Sequence, residues 1–176
     1  MKSVVLYGST YGTARRYAEK LSQRAQANLY AADQAGNLSG YQCVVYVGAL
    51  YAGNVQGLKE AALSFPRHAK ICIVTVGLES VGEPSDAVHI REGIRKQVPS
   101  EVFERAQFFH LPGCIDYHRL NLKHRLMMTA LQYSLRANPE DQRTDDDRAV
   151  LETYNKKLDR VDFGKLAPIA AYMMQE

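Results

Sequence analysis

The sequence predicts a doubly wound α/β fold, a parallel β-sheet covered by helices on both faces, on three observations. Continuous apolar runs recur at residues 3–7, 42–47 and 71–76, the mark of strands buried on both sides. Segments of helical periodicity separate them, and repeated strand, helix, strand reads as parallel pairing through crossover helices. Each long run then empties into a glycine-bearing loop, which places three such loops on one edge of the sheet. In sheets of this kind ligands bind beyond the carboxyl ends of the strands.

The elements follow in order. Val4 to Tyr7 forms the first strand, and the loop Gly8-Ser9-Thr10-Tyr11-Gly12-Thr13-Ala14 leaves it. Residues 15–26 read as a helix, with Tyr17, Ala18, Leu21 and Ala25 at helical spacing. A short strand near 28–32 precedes the run at 42–47 and a loop at 48–54. A helix at 57–64 leads to the run at 71–76 and a loop at 77–82. A helix over 86–97 and a fifth strand at 107–111 complete the repeat.

Beyond Pro112 the pattern changes. Residues 119–136 read as a basic amphipathic helix with Leu122, Leu126, Met127, Ala130, Leu131 and Tyr133 on its apolar side. A polar, acidic linker at 138–148 carries a helix cap at Thr144 or Asp145. Helices over 148–158 and 162–174 end the chain.

The 176 residues are most simply one domain with a core of its own. No run approaches the roughly 18 apolar residues of a membrane span, and no leader pattern opens the chain, so a cytoplasmic protein is expected. Cys43 and Cys72 fall in core strands and Cys114 in a loop after Pro112-Gly113, without CxxC or metal spacing. They read as packing residues, and no metal is expected. His68 and His89 read as surface residues, while His110 and His118 are candidates for a proton donor or substrate contact. The few basic residues lack interleaved exposed aromatics, which argues against nucleic acid.

The loop after the first strand carries the chemistry. A strand emptying through hydroxyls and glycine into a helix N-terminus makes an anion site. No lysine follows a second glycine and Gly-x-Gly-x-x-Gly is absent, so neither a triphosphate loop nor a dinucleotide fingerprint is present. A terminal monophosphate held by hydroxyls and amides fits. An ordinary turn whose Ser and Thr cap the helix is the alternative.

Tyr7-Gly8-Ser9-Thr10-Tyr11-Gly12-Thr13 resembles the FMN-phosphate loop of flavodoxins. The block Phe108-Phe109-His110-Leu111-Pro112-Gly113-Cys114-Ile115-Asp116-Tyr117, followed by Arg125-Leu126-Met127-Met128, is similar to an insert-containing flavodoxin-domain family. That family is related to the menaquinone-dependent protoporphyrinogen oxidases. The resemblance implies a flavodoxin-like sheet of order 2-1-3-4-5 with a helical insert at about 114–143. It implies FMN, its phosphate held by Ser9, Thr10, Tyr11, Gly12 and Thr13. Leu50, Tyr51, Ala52 and Gly53 would form a first ring wall, and Val76, Gly77 and Leu78 a second. In flavodoxins a first-wall peptide turns as the flavin is reduced, and Gly53 best permits that turn.

Two departures stand out. Flavodoxins place Thr or Ser at the first helical position, where the sequence suggests Ala14, and the chain has no Trp, so Tyr51 is the aromatic available for stacking. The chain carries +3 with a pI of about 8.7, whereas carrier flavodoxins are typically acidic. A basic field stabilises an anionic reduced flavin and raises its potential. The expected function is electron transfer or oxidoreduction with a redox partner protein or a quinone-like molecule. A protoporphyrinogen-oxidase-like flavoenzyme and a scaffold that has lost flavin are the alternatives. For the basic helix, packing on the sheet edge, a peripheral membrane contact and a protein-partner face all remain open.

Overall fold

The structure, a computed structural model, describes residues 1–175 except 52, 78–83 and 144. Its main sheet contains β1 (Ser3–Gly8), β2 (Asn28–Ala31), β3 (Cys43–Tyr51), β5 (Lys70–Gly77) and β6 (Ala106–Pro112), all parallel. Their order is β2-β1-β3-β5-β6. With the short hairpin strand β4 (Asn54–Val55) set aside, this is the order 2-1-3-4-5 that the resemblance implies.

Alternation along the strands sorts the core into two layers. Val4, Leu6, Val44, Tyr46, Ile71 and Ile73 face one side. There they meet α2 (Leu58–Ala62), α3 (Pro84–Arg95) and α4 (Ser100–Arg105) through Leu58, Ile94 and Val102. Val5, Val45, Val47, Cys72 and Val74 face the other side, against Tyr17, Ala18 and Leu21 of α1 (Thr13–Ala25). Ile169 and Met173 of α7 (Ala167–Met174) complete that layer. Burying such side chains on both faces contributes roughly 1.5–3 kcal/mol each.

Several boundaries differ from the sequence reading. β3 does not end at Val47: it runs on to Tyr51 and turns back through Gly53 into β4, pairing Leu50 with Val55 and Tyr51 with Asn54. What reads as a loop at 48–54 is therefore mostly a hairpin, its turn made by Gly53 at φ +75°. Helix α3 begins at Pro84, and the separate α4 lies in a stretch the sequence reads as a connection.

The largest difference follows β6. Cys114 is not in a loop but opens β7 (Cys114–Asp116), which pairs antiparallel with β8 (Lys157–Asp159). This ribbon clamps both ends of an excursion, so the insert extends past residue 143 to close at Asp159. Between the strands lie α5 (Leu122–Ala137) and α6 (Asp145–Thr153). Residues 157 and 158, expected at the end of a helix, fall in β8 instead, because Lys157, Leu158 and Asp159 complete the ladder of β7. The cap expected at Thr144 lies outside the described residues.

Helix α5 forms where the sequence predicts, but its faces are reversed. Asn121 caps its start, its Oδ1 accepting the His124 N–H at 2.8 Å. The Arg143 guanidinium caps its end, donating to the carbonyls of Leu135, Arg136 and Asn138. The side chains it buries are Gln132 and Leu135, while Leu122, Leu126, Met127, Leu131 and Tyr133 are exposed. The reading that packed this apolar side on the sheet edge is overturned.

Candidate functional site

The site grows from the carboxyl end of β1. Gly8 there leaves no room for a side chain, since a Cβ would run into Gln56 O and the Tyr46 hydroxyl. Gln56 joins the loop to the β3–β4 hairpin. Its Oε1 accepts the Thr10 N–H at 3.1 Å, its N–H donates to Ala49 O at 2.9 Å, and its carbonyl accepts the Tyr46 hydroxyl at 2.6 Å. Burial, aided by Glu60 and Asp33, pushes the Tyr46 phenol far up, so it stays a neutral donor.

Within the loop, Ser9 Oγ accepts the Gly12 N–H at 3.0 Å. Gly12 takes φ +91° as the N-cap residue of α1, and no side chain caps that helix among the described residues. Its first turn also carries no acidic residue. The first-turn N–H groups have no intrahelical acceptor and lie at the positive end of the dipole. An anion at this point would satisfy them. Helix α1 begins at Thr13, so a hydroxyl residue does occupy the first helical position. Ala14, expected there, is instead fully buried in the core beside Tyr17.

The predicted walls are partly brought together. The hairpin is held from behind by α3 and its C-terminal extension. Gln97 donates to Val55 O and accepts from Val55 N, and Gly93 packs so closely on Gly53 O that a Cβ there would collide. Val76 pairs with Ala49 across the sheet, and a Cβ on Gly77 would meet His110 Cε1 at 3.2 Å and Leu50 Cδ2 at 3.4 Å. Leu50, Val76 and Gly77 therefore lie on one edge. Ala52 and Leu78 lie outside the described residues.

Tyr51 carries the aromatic part. Its ring lies 6.3 Å from that of Tyr11 in an edge contact, which joins the first wall to the phosphate-type loop. His124 of α5 completes the cluster: it stacks on Tyr51 at 5.2 Å and 21°, and its Nδ1 lies 2.6 Å from the Tyr11 hydroxyl. The Tyr11 hydroxyl also accepts the Asn121 N–H at 3.2 Å. Burial, reinforced by Tyr11, pushes the Tyr51 phenol far above its usual range, so it remains neutral. Sequence reasoning missed His124. It lies 113 residues from Tyr11 inside a helix read for its apolar face, and no local signal ties the two together.

The remaining candidates separate. His110 Nδ1 sits 2.7 Å from Thr75 Oγ1 at the sheet edge, whereas His118, His68 and His89 are exposed. Burial raises all three thiols, Cys72 most, which makes them poor nucleophiles. Among the described residues no group of His, Cys, Asp and Glu could hold a metal ion. No helix there is long and apolar enough to cross a membrane. A cleft of about 520 Å³ opens beside Gly8 and Ser9, toward Asp33 and Glu60, on the β2 side.

A five-stranded parallel sheet of this order, with its hydroxyl loop and hairpin on the carboxyl edge, defines a doubly wound protein built for a ligand at that edge. The model of the flavodoxin domain matches residues 4–142, and the chain belongs to that family. No curated protein matches it. Among solved structures it is similar to a flavodoxin from the domain Archaea, at 13% identity over 64% of this chain and 83% of that one, TM-score 0.45. It is also similar to two-electron reduced Megasphaera elsdenii flavodoxin, at 7% identity over 62% and 85%, TM-score 0.45. A third is a flavoprotein in complex with FMN from Lactobacillus acidophilus, at 11% identity over 62% and 91%, TM-score 0.43.

Proposed function

We propose that this protein binds FMN non-covalently at the carboxyl edge of its sheet and works in electron transfer or oxidoreduction. The observation that carries the reading is the uncapped, acid-free start of α1 behind a loop of three hydroxyl residues, in a chain of the flavodoxin family. The donors match a phosphate monoester: hydroxyls of Ser9, Thr10 and Thr13, the backbone N–H of Tyr11, the first-turn N–H groups that follow Gly12, and the helix dipole. An adenylate half is not needed to fill such a cradle, which favours FMN over FAD.

The residues that would hold its ring lie on the hairpin and at the end of β5. Of the described residues, Leu50, Tyr51 and Gly53 would form one wall and Val76 and Gly77 the other. Tyr51 offers a neutral face for stacking, worth about 0.5–1.5 kcal/mol beyond the area it buries. His124, bonded to Tyr11 and stacked on Tyr51, adds a third aromatic from α5 to this cluster. When bound, the flavin carries one or two electrons; the protein holds it, orients it and sets its potential. Helix α5 carries Lys123 and Arg125 on either side of His124, with no acidic residue between positions 117 and 137. That field favours a negatively charged reduced cofactor and a higher potential than an acidic carrier has.

The visible spectrum of the purified protein tests the reading. An oxidised-flavin spectrum, with FMN released on denaturation, is the expected result. A colourless protein that gains no such spectrum with added FMN overturns it and favours a scaffold without flavin. A flavoenzyme of the protoporphyrinogen-oxidase type is the alternative to a carrier, with the insert held against the loop through Tyr11. Turnover of a porphyrinogen with a quinone acceptor, without any partner protein, separates the two.

A further inference from the structure

Helix α5 turns its apolar residues outward. Leu122, Leu126 and Tyr133 are 84%, 71% and 69% exposed, and Ala130 lies between them at helical spacing. At 3.6 residues per turn these four form one stripe, about 17 Å long, on the face opposite Gln132 and Leu135. Lys123 falls on one flank of the stripe, Arg125 and Arg136 on the other. Met127 and Leu131, each about two-fifths exposed, widen the apolar band beyond Lys123. A soluble helix normally turns such residues inward, and a continuous exposed apolar band marks an interaction site.

We infer that this outer face of α5 seats on an anionic lipid surface, with its axis in the plane of the interface. Charge complementarity selects that occupant. Four cations, Arg119, Lys123, Arg125 and Arg136, and no acidic residue lie between positions 117 and 137. A second copy of the chain would meet the same patch on itself, cation against cation, since a two-fold interface is self-complementary. A leaflet of anionic headgroups over acyl chains matches both components: the stripe dips into the acyl boundary while Lys and Arg reach up to the headgroups. The helix is too short and too basic to cross the bilayer; both its ends are capped, and its start is tied to Tyr11 of the loop. The inner face of the same helix holds His124 against Tyr11 and Tyr51, so seating α5 brings the sheet edge to the membrane surface. This inference stands whether or not flavin binds.

Co-sedimentation of the full-length protein with vesicles tests it, using phosphatidylcholine alone and phosphatidylcholine mixed with phosphatidylglycerol. The protein is expected to pellet with the mixed vesicles and remain soluble with the neutral ones. Leu122→Ser combined with Leu126→Ser and Tyr133→Ser, all exposed, should lower that affinity at least roughly tenfold. Lys123→Glu with Arg125→Glu should lower it roughly thirtyfold, at about 1 kcal/mol for each cation near the surface. Circular dichroism of both variants should match the parent. A parent protein that stays soluble with both vesicles overturns the inference, as does a triple variant that pellets like the parent. A parent dimer that the triple variant dissociates, without lipid binding by either, assigns the face to a second copy instead.

Discussion

The central sheet and helix α5 both carry regular apolar spacing, and they use it in opposite directions. From Cys43 to Val47 in β3 and from Ile71 to Val74 in β5 every residue is buried in one of the two core layers. In α5 the apolar residues face out, and what the helix buries is Gln132 and Leu135. The pattern is the same kind of signal; the surroundings decide its meaning. The sheet strands are flanked by helices that have no other place to bury their own apolar faces. Helix α5 is tethered by the β7–β8 ribbon that closes the insert, by the bonds of Asn121 and His124 to Tyr11 and by that of Thr129 to Tyr154, so its orientation is set by these anchors rather than by its apolar face.

Substitutions at equivalent-looking positions sharpen that contrast. The largest effect is expected in the sheet: Ile73→Ala, at a fully buried residue of β5, should lower unfolding free energy by roughly 2–5 kcal/mol in urea. Next comes Tyr17→Phe. The buried Tyr17 hydroxyl donates to Pro112 O and accepts the Asp162 N–H, both at 2.8 Å, so its loss strands two backbone groups. A destabilisation of about 1–3 kcal/mol by chemical denaturation is the expected outcome.

At the seam between the two regions the effect shrinks. Arg16 of α1 bonds Asp159 of β8 at 2.9 Å, and this bond, with the Val161 N–H, holds the carboxyl below its usual range. A depressed carboxyl stabilises the fold above the ordinary Asp pKa and loses that contribution as pH falls through its folded value. Asp159→Asn should therefore flatten stability across the acid limb by under about 1 kcal/mol, since both side chains are exposed. The smallest effect is expected at Leu126→Ser, within about 0.5 kcal/mol of the parent. A loss near that of Ile73→Ala would mean that Leu126 is buried and would dissolve the contrast.

Much of this was legible from the residues. Uninterrupted runs such as Val44-Val45-Tyr46-Val47 and Ile73-Val74 fixed the strands because a two-sided sheet leaves no alternation to misread. The turn from Ser9 to Thr13 was legible as a strand-to-helix connection, because glycine and hydroxyl residues there are a local signal. The hairpin at Tyr51 was not, since Leu50 and Tyr51 become strand only through pairing with Asn54 and Val55. Strands β7 and β8 were hidden for the same reason: each is three residues long and has meaning only beside the other, more than forty positions away. His124 belonged to no motif, and only the tertiary approach of α5 to Tyr11 brings it to the site.

The central claim is that the loop from Ser9 to Thr13 holds a terminal phosphate. Titration of the flavin-free protein with FMN and with riboflavin, read by quenching of flavin fluorescence, tests it most directly. FMN is expected to bind at least roughly tenfold tighter, the worth of one charge-assisted contact, and inorganic phosphate to weaken FMN without affecting riboflavin. Equal affinity for the two flavins would contradict it.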